Sequence, residues 1–127
     1  MFGLIKHWRY SFNMRLFVNE ALEQDPMIKK DIVAEVMSVA LLAAKSSPEW
    51  KKPFYDIKTQ SFIFLVTGIE GMIQLATRKD SLESKVYVSQ LKRLMGDVVF
   101  LANTHDIFRV HPGIAETARE QYYKLTI

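Results

Sequence analysis

The sequence predicts an all-α fold, a single bundle of four long helices plus a shorter C-terminal helix, with residues 1–127 forming one domain. Three observations carry this. Apolar residues recur at helical spacing through most of the chain. Residues that start and stop helices fall between the periodic stretches. Beyond Ile107–Val110, nothing reads as a strand.

The clearest stretch is 62–76. Phe62, Leu65, Val66, Ile69, Met72, Ile73 and Ala76 stand at i, i+3, i+4, i+7, i+10, i+11 and i+14, one continuous stripe on a helix. Thr67, Glu70, Gln74 and Arg78 occupy the opposite side, while Ser61, Gly68 and Gly71 form a small-residue side next to the stripe. Two glycines inside a helix cost about 1 kcal/mol each relative to alanine. Gly68 and Gly71 are therefore expected to mark close approach of a neighbouring helix or, less commonly, of a ligand. This is the central helix, starting after Pro53 and running to about Arg78.

A first helix is expected from Leu4 to about Leu22, apolar over most of its circumference. Ile5, Trp8, Phe12 and Leu16 define one face, and Tyr10, Met14, Phe17 and Ala21 a second. Lys6, Arg9, Asn13 and Glu20 lie between them. A helix of that kind must be covered on several sides. Phe2 precedes it. Asp25-Pro26 reads as an N-cap with proline at the first helical position. The second helix should then run to about Lys45, with Ile32, Val36, Val39, Ala40 and Ala43 inward. Ser46-Ser47-Pro48 ends it, and Pro53 prevents a long helix from forming before the central one. Glu49–Lys52 reads equally as a helical turn or an irregular link.

Asp80-Ser81-Leu82-Glu83 reads as a capping box with Asp80 as the cap. It opens a fourth helix to about Asn103, with Tyr87, Leu91, Leu94, Met95, Val98, Leu101 and Ala102 inward and Lys85, Ser89, Lys92 and Gly96 outward. Thr104–Gly113 is expected to be a loop, briefly extended at Ile107–Val110. The last helix should span about Pro112 to Lys124, with Ile114, Ala118, Tyr122 and Leu125 facing in.

Composition bounds the function. With 49% apolar and 24% charged residues, the 127-residue chain belongs with folded domains and not with disordered ones. It has no cysteine, which removes disulfides, thiolate ligands and a cysteine nucleophile together. The apolar runs Ile32–Ala44 and Phe62–Ala76 fall short of the ~20 residues a bilayer requires, and they carry Glu35 and Glu70. His7, Arg9, Asn13 and Arg15 interrupt any signal-peptide core. A cytoplasmic location is the expectation. The net charge of +3 is localised. Residues 1–18 hold Lys6, Arg9 and Arg15 and no acid, whereas 19–127 hold fourteen bases and fourteen acids.

Four groups of residues could carry chemistry. His105-Asp106 with His111 is the one cluster of metal-type ligands, but it lacks a third or fourth ligand at a recognisable spacing. A helix exit, a turn and the residue before a helix-opening proline explain it better. Gly68-Ile69-Glu70-Gly71 lies inside a helical stripe, and a phosphate loop would lie between a strand and a helix. Arg78, Lys79, Lys85, Lys92 and Arg93 could suggest a nucleic-acid face, yet Asp80, Glu83 and Asp97 are interleaved with them, so a solvated face is the simpler reading.

The first helix is the fourth group. Its aromatics and bases suit the bundle's own core, a protein interface or an anionic membrane surface. The six methionines are scattered like core filler.

The resulting expectation is a non-catalytic helical interaction module (an adaptor, chaperone or regulator) that needs neither cofactor nor metal. Its partner would be a second copy, forming a homodimer through Trp8, Tyr10, Phe12 and Phe17, or another protein. Two weaker alternatives are a nucleic-acid-binding regulator and a small enzyme using Glu70 or the His105/Asp106/His111 group.

Overall fold

A computed structural model describes residues 2–126, and the side chains of residues 4–125. The described residues form seven helices: α1 (Phe2–Gln24), α2 (Lys30–Lys45), α3 (Pro48–Lys51), α4 (Ile57–Thr77), α5 (Leu82–Thr104), α6 (Ile107–Val110) and α7 (Pro112–Thr126). The chain is an all-α bundle. α4 sits at the centre, with α1, α2 and α5 packed around it, and the α6–α7 pair closes against α5. No described helix is long and apolar enough to cross a membrane.

The stripe on α4 forms the middle of the core. Phe62, Leu65, Val66, Ile69, Met72 and Ile73 are all buried, and Phe64 joins them. α1 contributes Tyr10, Met14, Phe17, Val18 and Ala21, and α5 contributes Leu91, Leu94, Met95, Val98 and Leu101. Gly68 is where α2 meets α4. A Cβ added there would stand 2.8 Å from both Cα and Cβ of Ala40. Gly71 behaves differently from expectation, since a Cβ there would meet nothing within 4 Å. Of the two glycines of α4, only Gly68 therefore marks a close approach. Gly96, expected on an outer face, instead lies under α7, where a Cβ would come within 2.8 Å of the Tyr122 hydroxyl.

Several helix starts differ from the sequence reading, each for a local reason. α2 begins at Lys30 and not at Pro26, because Asp25 is occupied otherwise. Its carboxylate accepts the Met27 N–H (3.3 Å) and pairs with Arg93 on α5, which closes a turn and lets Ile28 drop into the core. α5 is capped one residue later than the box implied. Ser81 Oγ accepts the Ser84 N–H (3.1 Å), and Asp80 stays outside with Lys85 at 3.8 Å.

Pro48–Lys51 is helical, capped by Ser47, whose hydroxyl accepts the Glu49 N–H. It lays Trp50 against Tyr10 (4.8 Å between ring centroids). Ile107–Val110 is a helical turn as well, and its entry residue Asp106 takes the left-handed conformation at φ 62°, which aspartate tolerates better than most residues. α4 has a cap that the sequence did not reveal. Asp56 accepts both the Thr59 N–H (3.2 Å) and the Thr59 hydroxyl (2.7 Å).

Candidate interaction surface

α1 is two-sided in the structure as in the sequence, and its sides have different fates. The Tyr10, Met14, Phe17 and Ala21 face is fully buried. The Ile5, Trp8, Phe12 and Leu16 face looks outward. Leu4, Ile5, Trp8 and Phe12 are 74%, 54%, 66% and 52% exposed, and the Trp8 and Phe12 rings stack at 5.8 Å. Residues at i, i+4 and i+8 lie along one side of a helix, so these four form a single row of about 12 Å.

This separates the four aromatics expected to share an interface. Trp8 and Phe12 stand free of the core. Tyr10 and Phe17 do not: they are 1% and 0% exposed. Tyr10 packs edge-on to Phe64 at 5.2 Å, and burial lifts its phenol above the ordinary range, with Arg9 pulling the other way. Phe17 packs on Phe62 and on the His105 ring. The correction has a geometric cause. Successive helical residues turn by 100°, so Tyr10 and Phe17 point almost opposite to Trp8. Phe2's side chain lies outside the described residues.

A groove of about 580 Å³ runs beside the row, lined by Ile5, Lys6, Arg9, Tyr10, Pro53, Tyr55 and Ile57. The far wall is the segment between α3 and α4. Lys6 Nζ ties the two walls together by donating to the Lys51 carbonyl (3.4 Å). That same segment exposes Phe54 and Lys52, and Lys51 is exposed at the end of α3. The groove could not be read from the sequence, because it joins residues nearly fifty positions apart.

The three residues of the histidine group reach three different partners. His105 Nε2 meets both carboxylate oxygens of Glu20, at 2.9 and 3.0 Å, with its ring against Phe17. Asp106 pairs with Arg109 at 3.3 Å. His111 Nε2 meets Asp56 at 3.3 Å, beside the Tyr55 ring. Among the described residues, no three histidine, aspartate or glutamate side chains gather where they could hold a metal ion. His111 also borders a second cleft of about 480 Å³ between α4 and α7, floored by Phe62, Val66 and Ala118. Although burial works against it, Asp56 keeps its carboxyl below the usual range through Thr59 and His111. Glu70 is half-buried and accepts a long hydrogen bond from Gln74 (3.4 Å), its neighbour one turn on.

The bases around α5 are also divided. Arg93 turns back to the buried Asp25, and Lys85 reaches Asp80. Asp97 lies beside that Asp25–Arg93 pair with one oxygen buried and unpartnered. Its carboxyl is pushed up to about 6 by burial, with Asp25 adding to the rise and Arg93 opposing it. Asp25 goes the other way, held down chiefly by Arg93. Further along the bundle, Tyr87 donates to Glu35 (2.6 Å), and burial, with Glu35 adding to it, lifts the phenol to about 12.

No family model, no curated protein and no solved structure matches this chain.

Proposed function

We propose that the protein is a non-catalytic interaction module, an adaptor or regulator whose working surface is the outer face of α1. One observation carries the reading. The helix spends its Tyr10–Phe17 side on the core and still holds Leu4, Ile5, Trp8 and Phe12 in solvent as one row. Isolated exposed apolar residues are ordinary, but four large ones in a row, two of them stacked aromatics, form the kind of patch that marks a contact site. Helix-on-helix docking is the natural mode for such a row.

A second copy is the simplest protein partner, through a two-fold interface in which each α1 covers the other. The absence of cysteine suits a reducing compartment such as the cytoplasm. Sedimentation of the intact chain over a range of concentrations tests this. With a second copy as the partner, the parent associates reversibly and a Trp8→Ser/Phe12→Ser variant remains a monomer. Identical behaviour of parent and variant, alone and with every surface offered, would refute the reading.

A further inference from the structure

The structure joins two stretches that the sequence keeps apart. The groove beside α1 brings residues 5–10 against residues 53–57, and the stretches that contain its two walls, 1–18 and 51–58, hold Lys6, Arg9, Arg15, Lys51, Lys52 and Lys58 against the single acid Asp56. That is a net charge of +5 on this part of the molecule in a chain whose total is +3, so the remainder is negative. Asp56 is already engaged with Thr59 and His111. The apolar row of α1 thus lies along stretches with a surplus of bases.

We propose that this face docks on an anionic lipid surface, with α1 lying along the membrane plane. The inference rests on the interaction reading above and names its partner. Leu4, Ile5, Trp8 and Phe12 would enter the boundary between headgroups and acyl chains, the depth at which amphipathic helices settle and where tryptophan is enriched. Arg9 lies on one flank of the row, and Arg15 lies one turn beyond Phe12. Their long stems allow the charged ends to stay among the lipid phosphates while the row goes deeper. Phe54, 71% exposed between Lys52 and the groove, supplies a second apolar point beside α1. No described helix can span a bilayer, so the contact is with the surface.

The charge argues against the other occupants. In a two-fold dimer the same patch faces itself, so α1 helices packed on each other would set the bases Lys6, Arg9 and Arg15 against the same three of the second copy, with no acid in residues 1–18 to meet them. A nucleic acid would satisfy the bases but offers little to Leu4 and Ile5, whose aliphatic side chains cannot stack on bases as aromatics do.

Salt separates the cases, because screening weakens attraction to an anionic surface and relieves repulsion between two basic copies. The experiment is co-sedimentation of the full chain with vesicles of phosphatidylcholine alone, and of phosphatidylcholine mixed with phosphatidylserine, at low and high salt. A Trp50→Phe background lets Trp8 report its own fluorescence.

Binding is expected only with phosphatidylserine present, with a blue shift of Trp8 emission and loss of binding as salt rises. Arg9→Gln and Arg15→Gln should each weaken it about fivefold, the order of one base near a charged leaflet. Both side chains are exposed, so these variants keep the fold while changing the charge. Equal binding to both vesicle types would overturn the proposal, as would tighter binding to single-stranded DNA or polyglutamate than to the charged vesicles. Absence of vesicle binding combined with self-association that strengthens with salt would overturn it too, while leaving the interaction reading intact.

Discussion

Gly68 and Gly71 lie three residues apart on α4, and the structure assigns them opposite responses to the same substitution. Alanine at Gly68 places its Cβ 2.8 Å from the Cα and Cβ of Ala40, where ordinary contact begins near 3.4 Å. One of those atoms is backbone, so no rotamer change relieves the clash. α2 and α4 must part by about half an ångström, in a core whose packing resists such shifts.

Overpacking of this kind costs about 1–3 kcal/mol, and the gain from replacing glycine in a helix offsets about 0.5–1 kcal/mol of it. Gly68→Ala should therefore destabilise by about 0.5–2 kcal/mol. At Gly71 the new methyl meets nothing within 4 Å. Only the helix gain remains, and Gly71→Ala should stabilise by about 0.5–1 kcal/mol. Guanidinium unfolding at matched slopes measures both. Two stabilising changes would show that α2 and α4 do not approach closely at Gly68. A destabilised Gly71→Ala would show that this side of α4 is covered.

Two further predictions concern the charged groups. Asp97 has a folded pKa of about 6 against an ordinary 3.8, so the folded state holds its proton more tightly than the unfolded chain does. Its contribution to stability is complete below about pH 4 and is lost as pH rises through 6. Asp97→Asn should flatten that fall and be more stable than the parent at pH 7; an unchanged slope between pH 4 and 6 in urea unfolding would refute this. His105 and His111 serve different carboxylates, so the purified protein should carry no stoichiometric zinc, iron or manganese by elemental analysis. A metal lost on changing both histidines together would show that they meet.

The bundle was legible in the sequence because its helices obey one period. The inner faces of α4, α5 and α7 appear where the spacing put them, since burial of an apolar stripe is a local property repeated along the helix. What escaped the sequence depended on partners distant in the chain. Asp25-Pro26 has the local form of a helix start, but Arg93, 68 residues away, takes the carboxylate. Gly68 and Gly71 look alike in the sequence, and only the position of Ala40 distinguishes them. The two apolar faces of α1 were visible in order and spacing, yet which one the core would take was not. That choice is made by Trp50, Phe62 and Phe64, which receive Tyr10 and Phe17 and leave Trp8 and Phe12 outside. The groove beside α1 exists only once residues 53–57 fold back on it.

If the row on α1 serves contact and not the fold, removing it should abolish binding and spare stability. The most direct test is the unfolding free energy of a Trp8→Ser/Phe12→Ser variant, with its association and vesicle binding measured on the same preparation. Both side chains are more than half exposed, and surface changes of this kind leave stability within about 0.5 kcal/mol per site. The expected result is an unfolding midpoint close to the parent's together with loss of binding. A variant that unfolds outright, or one that binds as the parent does, would contradict it.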